Sequence, residues 1–347
     1  MKIGRREIGS AQRVMVIAEI GVNHDGSVTR ALELVSAASR AGADAVKLQV
    51  FRAEQLMHTG AGFAEYQTQR VHDATPVDML RRYELDDAAL RRISDAIVNA
   101  GMEPIATAFS PGDVGRVAAI ASCIKIASPD LVNRPLLARA IATGLPLILS
   151  TGASDADEIE ATCDYLALCR AKFALLHCVS SYPVSLDAAR LCWIRRLAQH
   201  RVPVGYSDHT TELIAGALSV TAGACVVEKH LTYDTRAQGP DHAASADEAG
   251  FAEYVRLIRI AETMRGVDAP RVVLPCETDV RTVSRQSLVA VRNIAIGEEI
   301  TESSITTQRP GTGLPALFVD RVIGRRAARA IVGGAMLSAS DIEGFDA

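Results

Sequence analysis

The chain has 347 residues, enough for one large α/β domain plus a small one or for two mid-sized domains, and too many for a peptide or a minimal binding module. Its composition is 48% hydrophobic but only 4% aromatic, so the core must be built from Ala, Val, Ile and Leu, the profile of a soluble parallel-sheet enzyme. With 37 Lys+Arg against 41 Asp+Glu, the formal net charge of −4 offers no basic excess for nucleic acid or an anionic membrane surface, and neither is expected as a partner.

The N-terminus opens Met1-Lys2-Ile3-Gly4-Arg5-Arg6 and stays polar, without an apolar signal segment. No run, not even Ala215 to Val227, approaches the roughly 18 apolar residues of a membrane span, and a cytoplasmic protein is expected. A unit then recurs: a short apolar, β-branched run ending in polar residues, a turn, and an amphipathic stretch. The first run is Val14 to Gly21; Asp25-Gly26-Ser27 supplies a turn and N-cap, and Ala31, Leu34, Val35 and Ala38 recur at helical spacing up to Arg40. The others are Asp44 to Phe51, Pro104 to Ser110, Ile124 to Ser128, Pro146 to Gly152, Phe173 to Ser181, Val202 to His209 and Cys225 to Thr232. Eight such runs alternating with helical patterns predict parallel βαβ crossovers closed into an α/β (β/α)8 TIM barrel.

One connection, Arg52 to about Glu84, is longer than its neighbours and is expected to form an active-site wall or lid. The pattern lapses after Gly266. Residues 1–266 therefore read as the barrel, 267–281, with Pro270 and Pro275, as a linker, and 282–347 as a domain near the lower size limit for an independent core. The seven cysteines form an odd set with no C-x-x-C pair, as expected of buried structural thiols in a reducing compartment.

In a barrel of this type the active site lies at the C-terminal ends of the strands. Those ends carry Glu19; Lys47 and Gln49; Thr107; Lys125 and Ser128; Ser150-Thr151-Gly152; Ser180 and Tyr182; Ser207 and His209; Glu228 and His230. Residues two apart share a face, so His209 and His230 can point inward from neighbouring strands with Glu228 beside them. Such a set suits a divalent metal with open positions, or a hydrogen-bonded polar barrel mouth. Lys47 and Lys125 interrupt otherwise apolar strands, where an unpaired ammonium costs on the order of several kcal/mol. A phosphate or phosphorylated carboxylate would resolve that cost, with Ser128, Ser150, Thr151, Ser207 and the Thr151-Gly152 N–H groups as donors; so would an inward Glu19 or Glu228. A desolvated lysine is also the nucleophile of a Schiff-base aldolase.

The strings Ile17-Ala18-Glu19-Ile20-Gly21-Val22-Asn23-His24-Asp25-Gly26, Lys47-Leu48-Gln49, Leu149-Ser150-Thr151-Gly152, Gly205-Tyr206-Ser207-Asp208-His209-Thr210, Glu228-Lys229-His230 and Gly239-Pro240-Asp241-His242 resemble the sialic acid (N-acetylneuraminate) synthase family. Arg309-Pro310-Gly311-Thr312-Gly313 resembles the antifreeze-like SAF domain, a β-clip, that follows the barrel there. The resemblance implies condensation of phosphoenolpyruvate with N-acetylmannosamine, or a related N-acetylated amino sugar, and water. The products would be a nonulosonic acid and phosphate, formed with C–O cleavage and a divalent metal (Mn, Mg or Co). It implies His209 and His230 as metal ligands, and Lys47, Gln49, Lys125, Ser128, Ser150 and Ser207 around phosphoenolpyruvate. Glu19 would position or activate water, and Tyr182 and Asp241 would line the sugar site, where Arg309 would arrive from the partner in a domain-swapped homodimer. Asp130 and Glu228 are further metal or sugar candidates, although Pro129-Asp130 stands where many members place Gly-Glu, and Ser180 where some carry Asn. Legionaminic or pseudaminic acid synthesis from a diacetamido hexose is the alternative, ahead of the aldolase.

Overall fold

The computed structural model describes residues 1–58 and 75–346, so the middle of the predicted wall or lid, 59–74, lies outside the described residues. The chain forms two compact units, Met1–Val267 and Asp268–Ala347.

The first unit is a closed barrel of eight parallel strands, β3 (Met15–Gly21), β4 (Ala45–Val50), β5 (Glu103–Ala108), β6 (Cys123–Ile126), β7 (Leu147–Ser150), β8 (Phe173–Cys178), β9 (Val204–Asp208) and β10 (Val226–His230), with β10 closing on β3. Each overlaps one predicted run, and the runs overshoot mostly at their polar ends, where the backbone leaves the sheet. Every strand residue is buried except the half-buried Gln49, because helices cover the outer face and side chains fill the inner one. Helix α1 (Val28–Arg40) shows the local logic: Ser27 Oγ accepts from Arg30 N–H, and Ala31, Leu34, Val35, Ala37 and Ala38 face the strands. Each such Leu or Val contributes about 1.5–3 kcal/mol by burial.

The polar N-terminus hides a structural element. Strands β1 (Lys2–Ile3) and β2 (Arg6–Glu7) pair antiparallel, and the hairpin sends Ile3 and Ile8 into the lower barrel against Met15, Ile17, Ala45, Ile105 and Ile148. Glu103 Oε1 accepts from Arg5 N–H at 3.0 Å and fixes the hairpin to the barrel. The lower interior is thereby filled, and chemistry is confined to the upper half.

Two residues inside the recognised strings face outward. Asp208 accepts from Lys229 Nζ (3.2 Å) and from the Tyr254 hydroxyl (2.8 Å), while Lys229 donates to Thr210 O at 2.7 Å. This buried set ties β9, β10 and the helix Glu248–Arg265 together, fixing the direction in which His209 and His230 leave their strands.

In the second unit, β11 (Ser287–Ala290) pairs antiparallel with β12 (Ile305–Gln308), over a core including Leu288, Ile294, Ile300, Val322, Leu337 and Ile342. The stretch read as a linker has no buried residue, but it begins a short helix, Thr278–Ser284. Glu277 opens that helix by accepting from Leu274 N–H and Arg271, local bonds that leave no hydrophobic period in the sequence. Among the described residues no helix is long and apolar enough to cross a membrane.

Candidate active site

The inward side chains at the strand tips enclose a cavity of about 390 Å³, within the size range of small-molecule sites. Its floor is ionic. Lys47 Nζ lies 2.8 Å from Glu19 Oε2 and 2.8 Å from Glu228 Oε1; Glu228 Oε1 also accepts from Ser207 Oγ at 3.0 Å, and Glu19 Oε1 from Gln49 Nε2 at 3.2 Å. Gly21 permits this approach: at its φ of +28° a Cβ would stand 2.3 Å from Glu19 Oε1 and 2.6 Å from Gln49 Nε2. Lys125 Nζ donates to Ser150 Oγ (2.6 Å) and Ile126 O (3.0 Å), and its ammonium has no carboxylate partner among the described residues.

Burial pulls the Lys47 ammonium down to about 8, with Glu228 opposing the shift and Lys125 adding to it. Burial would raise the Glu228 carboxyl, but Lys47 and Lys125 override it and hold the group at about 2. The second oxygen, Glu228 Oε2, is buried without a hydrogen-bond partner among the described residues.

The two imidazoles meet beside this floor, their ring centroids 5.6 Å apart. His209 Nδ1 bonds to Val179 O at 2.9 Å, which leaves Nε2 as its ligating atom. His230 Nδ1 is buried without a hydrogen-bond partner among the described residues, 3.7 Å from Asp241 Oδ2. Burial, then His209 and Lys47, lowers His230 well below the usual range, so its ring is neutral at physiological pH, the form that ligates metals. For His209 burial works downward but Cys178, whose Sγ is 3.9 Å from Nδ1, raises it overall. Tyr182 lies over His209 with centroids 4.0 Å apart and meets His230 edge-on at 5.9 Å. An orphaned ring nitrogen, a second imidazole with a defined free nitrogen and a nearby carboxylate fit a divalent cation. No three His, Cys, Asp or Glu side chains among the described residues form a ready-made cage, so substrate oxygens or water would have to complete the coordination.

Of the residues singled out from the sequence, Lys47, Gln49, Lys125, Ser128, Ser150, Tyr182, Ser207, His209, Glu228, His230 and Asp241 line this one cavity. Glu19 does not: it is fully buried behind Lys47 and acts on the cavity through it. Asp130 is not among the described lining residues either, its carboxylate accepting from Asn133 Nδ2 at 3.0 Å. Arg309 is exposed on the second unit. The Thr151-Gly152 turn does not present free donors, since Thr151 N–H bonds to Leu176 O and Gly152 N–H to Ser128 Oγ. Asn23 and His24 shape the turn after β3: Asn23 Nδ2 donates to Leu231 O and Ser245 Oγ, and His24 Nδ1 accepts from Gly26 N–H.

All seven cysteines are free, but Cys169, Cys192 and Cys276 are exposed rather than buried, and Cys178 lines the cavity beside His209. An apolar wall of Val22, Phe51, Leu56, Met79, Leu80 and Phe109 also escaped the sequence reading. Its one signal was position, since Val22, Phe51 and Phe109 each stand one residue past the end of a strand.

An eight-stranded barrel with lysines, carboxylates and imidazoles gathered at the strand ends defines a barrel enzyme with a polyfunctional polar cavity. Residues 34–269 match the NeuB family model and residues 285–343 the SAF domain model. The chain belongs to the NeuB family. It is 34% identical to N,N'-diacetyllegionaminic acid synthase of Legionella pneumophila, over 98% of each chain, and 33% identical to the enzyme of the same name from Campylobacter jejuni, over 92% of this chain and 97% of that one. The crystal structure of N-acetylneuraminic acid synthetase from Leptospira borgpetersenii superposes with a TM-score of 0.74 at 29% identity, covering 81% of this chain and 94% of that one.

Proposed function

We propose that this protein is a nonulosonate synthase, which condenses phosphoenolpyruvate with an N-acetylated amino-sugar aldose and water and releases phosphate by C–O cleavage. The observation that carries the reading is the floor: two buried lysines, one without a carboxylate partner among the described residues, beside hydroxyls of Ser128, Ser150 and Ser207. That arrangement can receive a phosphorylated carboxylate, and the names of the relatives support synthesis of a nonulosonic acid. They also shift the acceptor from N-acetylmannosamine toward a diacetamido hexose.

Lys47, Gln49, Lys125, Ser128, Ser150 and Ser207 would bind phosphoenolpyruvate, and Tyr182 and Asp241 the sugar, with Arg309 of a second subunit at the N-acetyl end in a domain-swapped homodimer. His209 and His230 would hold a divalent metal (Mn, Mg or Co), which supplies Lewis acidity for the aldehyde. The methylene carbon of phosphoenolpyruvate bonds to the aldehyde carbon as the carbonyl π pair moves to its oxygen, leaving positive charge on C2 of phosphoenolpyruvate, where Glu228 and Glu19 provide the countercharge. Water adds at C2, and the Glu19–Lys47 pair takes the proton it releases and returns it to the new alkoxide. The C2–O bond then breaks as the C2 hydroxyl gives its proton to the phosphate and becomes the ketone, and Lys47 and Lys125 stabilise the departing phosphate.

The test is phosphate release from phosphoenolpyruvate that requires the acceptor, stops with EDTA and returns with Mn. The depressed Lys47 favours one competing reading, a Schiff-base aldolase, which borohydride trapping with pyruvate would reveal.

A further inference from the structure

Beyond shaping a turn, the Asn23-His24-Asp25-Gly26 string reaches the loop that carries Asp241. That loop, 231–247, joins β10 to the helix Glu248–Arg265 and is mostly irregular, with a 3₁₀ turn at His242–Ala244. Its course is set by side chains of the turn after β3. Asn23 Nδ2 donates to Leu231 O and to Ser245 Oγ, both at 2.9 Å, and Ser245 Oγ donates to the backbone oxygen of Asp241 at 2.7 Å. Asp25 holds the residue that follows. His242 Nε2 lies 3.2 Å from Asp25 Oδ1, and because an ionised carboxylate only accepts, the ring donates through that nitrogen. On its other side His242 Nδ1 meets Thr232 Oγ1 at 2.7 Å, two residues past the end of β10. The second Asp25 oxygen accepts from the Tyr233 hydroxyl at 2.7 Å and from Arg30. The His242 ring is 1% exposed and packs on Gly239, where a Cβ would stand 2.7 Å from its Cδ2. Asp25, Thr232 and His242 are not among the described residues that line the cavity, whereas Asp241 is.

We propose that Asp25 and His242 are positioning residues for the acceptor, acting through Asp241. The inference rests on the synthase reading above, in which Asp241 binds the sugar. The main chain around Asp241 is held on both sides: Pro240 before it has a fixed φ, its own carbonyl is tied to Ser245, and His242 after it is anchored to Asp25 and Thr232. The Asp241 carboxylate, 3.7 Å from His230 Nδ1, is therefore in place before a sugar arrives. Ordering the loop in advance removes that entropy from the binding step. Without the Asp25–His242 bond the sugar itself would have to order the loop, which weakens acceptor binding. The lysines and hydroxyl of the phosphoenolpyruvate floor on β4, β6 and β7 make no bond to this network, and their affinity for that substrate is preserved.

The experiment measures KM of the full chain for each substrate in the presence of Mn, with N-acetylmannosamine and a 2,4-diacetamido hexose as acceptors. His242→Phe keeps a buried ring and removes both of its hydrogen bonds. KM for the acceptor should rise at least about 10-fold, the scale of one hydrogen bond to a charged group, while KM for phosphoenolpyruvate stays within about 2-fold. Asp25→Gly, at a half-buried side chain and a φ of +50° that glycine adopts freely, should give the same split. Asp25→Asn keeps an oxygen to accept from His242 Nε2 and tolerates that φ, so it should recover most of the acceptor KM. An acceptor KM unchanged in both His242→Phe and Asp25→Gly, equal rises in the two KM values, or Asp25→Asn as impaired as Asp25→Gly overturns this inference and leaves the synthase reading standing. Absence of acceptor-dependent turnover in the unsubstituted protein overturns both.

Discussion

Replacing Lys47 with Met tests whether one ammonium holds the cavity floor together. Its Nζ is 2.8 Å from both Glu19 Oε2 and Glu228 Oε1, and all three residues are buried. Removing one partner from a buried ion pair costs about 3–5 kcal/mol, because the remaining charge is stranded. The direction of the Glu228 shift agrees: the carboxyl is held at about 2 against an ordinary 4.5, with burial opposing the shift and Lys47 its main favourable cause. Because that carboxyl is depressed in the folded state, its stabilisation is present above pH 4.5 and is lost as pH falls toward 2. In Lys47→Met the two carboxylates face each other without the cation between them, which raises their folded-state pKa. The variant then recovers stability on acidification and loses it as pH rises. Urea unfolding at pH 5 and pH 7 should show a wild-type advantage of about 3 kcal/mol at pH 7, narrowing at pH 5, and partly restored by adding Glu228→Gln. A deficit under about 1 kcal/mol at pH 7, the scale of a surface pair, or one that widens on acidification, would refute the ionic-floor argument.

Other predictions concern turnover. Lys47 is charged below about 8, so affinity for phosphoenolpyruvate should fall as pH rises through that value, and Lys47→Arg should abolish the breakpoint in a pH series of KM. Glu19→Gln should retain binding of Mn and phosphoenolpyruvate in calorimetry yet lose turnover at least about 100-fold, the range of a general acid–base group. In Gly152→Ala a Cβ would stand 2.4 Å from Ser180 Oγ and 2.9 Å from Ser128 Oγ, so KM for phosphoenolpyruvate should rise while the melting temperature moves little.

Much of this organisation was legible because it is local and periodic. A strand buried on both faces writes itself as an apolar run, and a lysine such as Lys125 stands out against one. Alternation along β9 and β10 was enough to turn Ser207, His209, Glu228 and His230 to one side, and all four line the cavity. What escaped depends on long-range packing. The β1–β2 hairpin has only two residues per strand, and its purpose, filling the barrel bottom with Ile3 and Ile8, exists only once the barrel closes. The Asp208–Lys229–Tyr254 set joins residues whose proximity no short window shows. Glu19 stood out as a polar strand tip, but its full burial behind Lys47 is a matter of depth, which alternation does not encode. The apolar wall was missed for the opposite reason: Phe51 and Phe109 look like ordinary core residues until the helices Ala53–Leu56 and Pro76–Arg81 bring Leu56, Met79 and Leu80 against them.

The central claim is that the floor binds phosphoenolpyruvate and cleaves its C–O bond while joining it to a sugar. The most direct measurement uses phosphoenolpyruvate carrying heavy oxygen at the bridging position, with Mn and a diacetamido hexose, and follows inorganic phosphate and product by mass spectrometry. The account predicts acceptor-dependent phosphate that retains the heavy oxygen, together with one equivalent of a nonulosonic acid that lacks it. Phosphate released without the label, or released equally without acceptor, would contradict it.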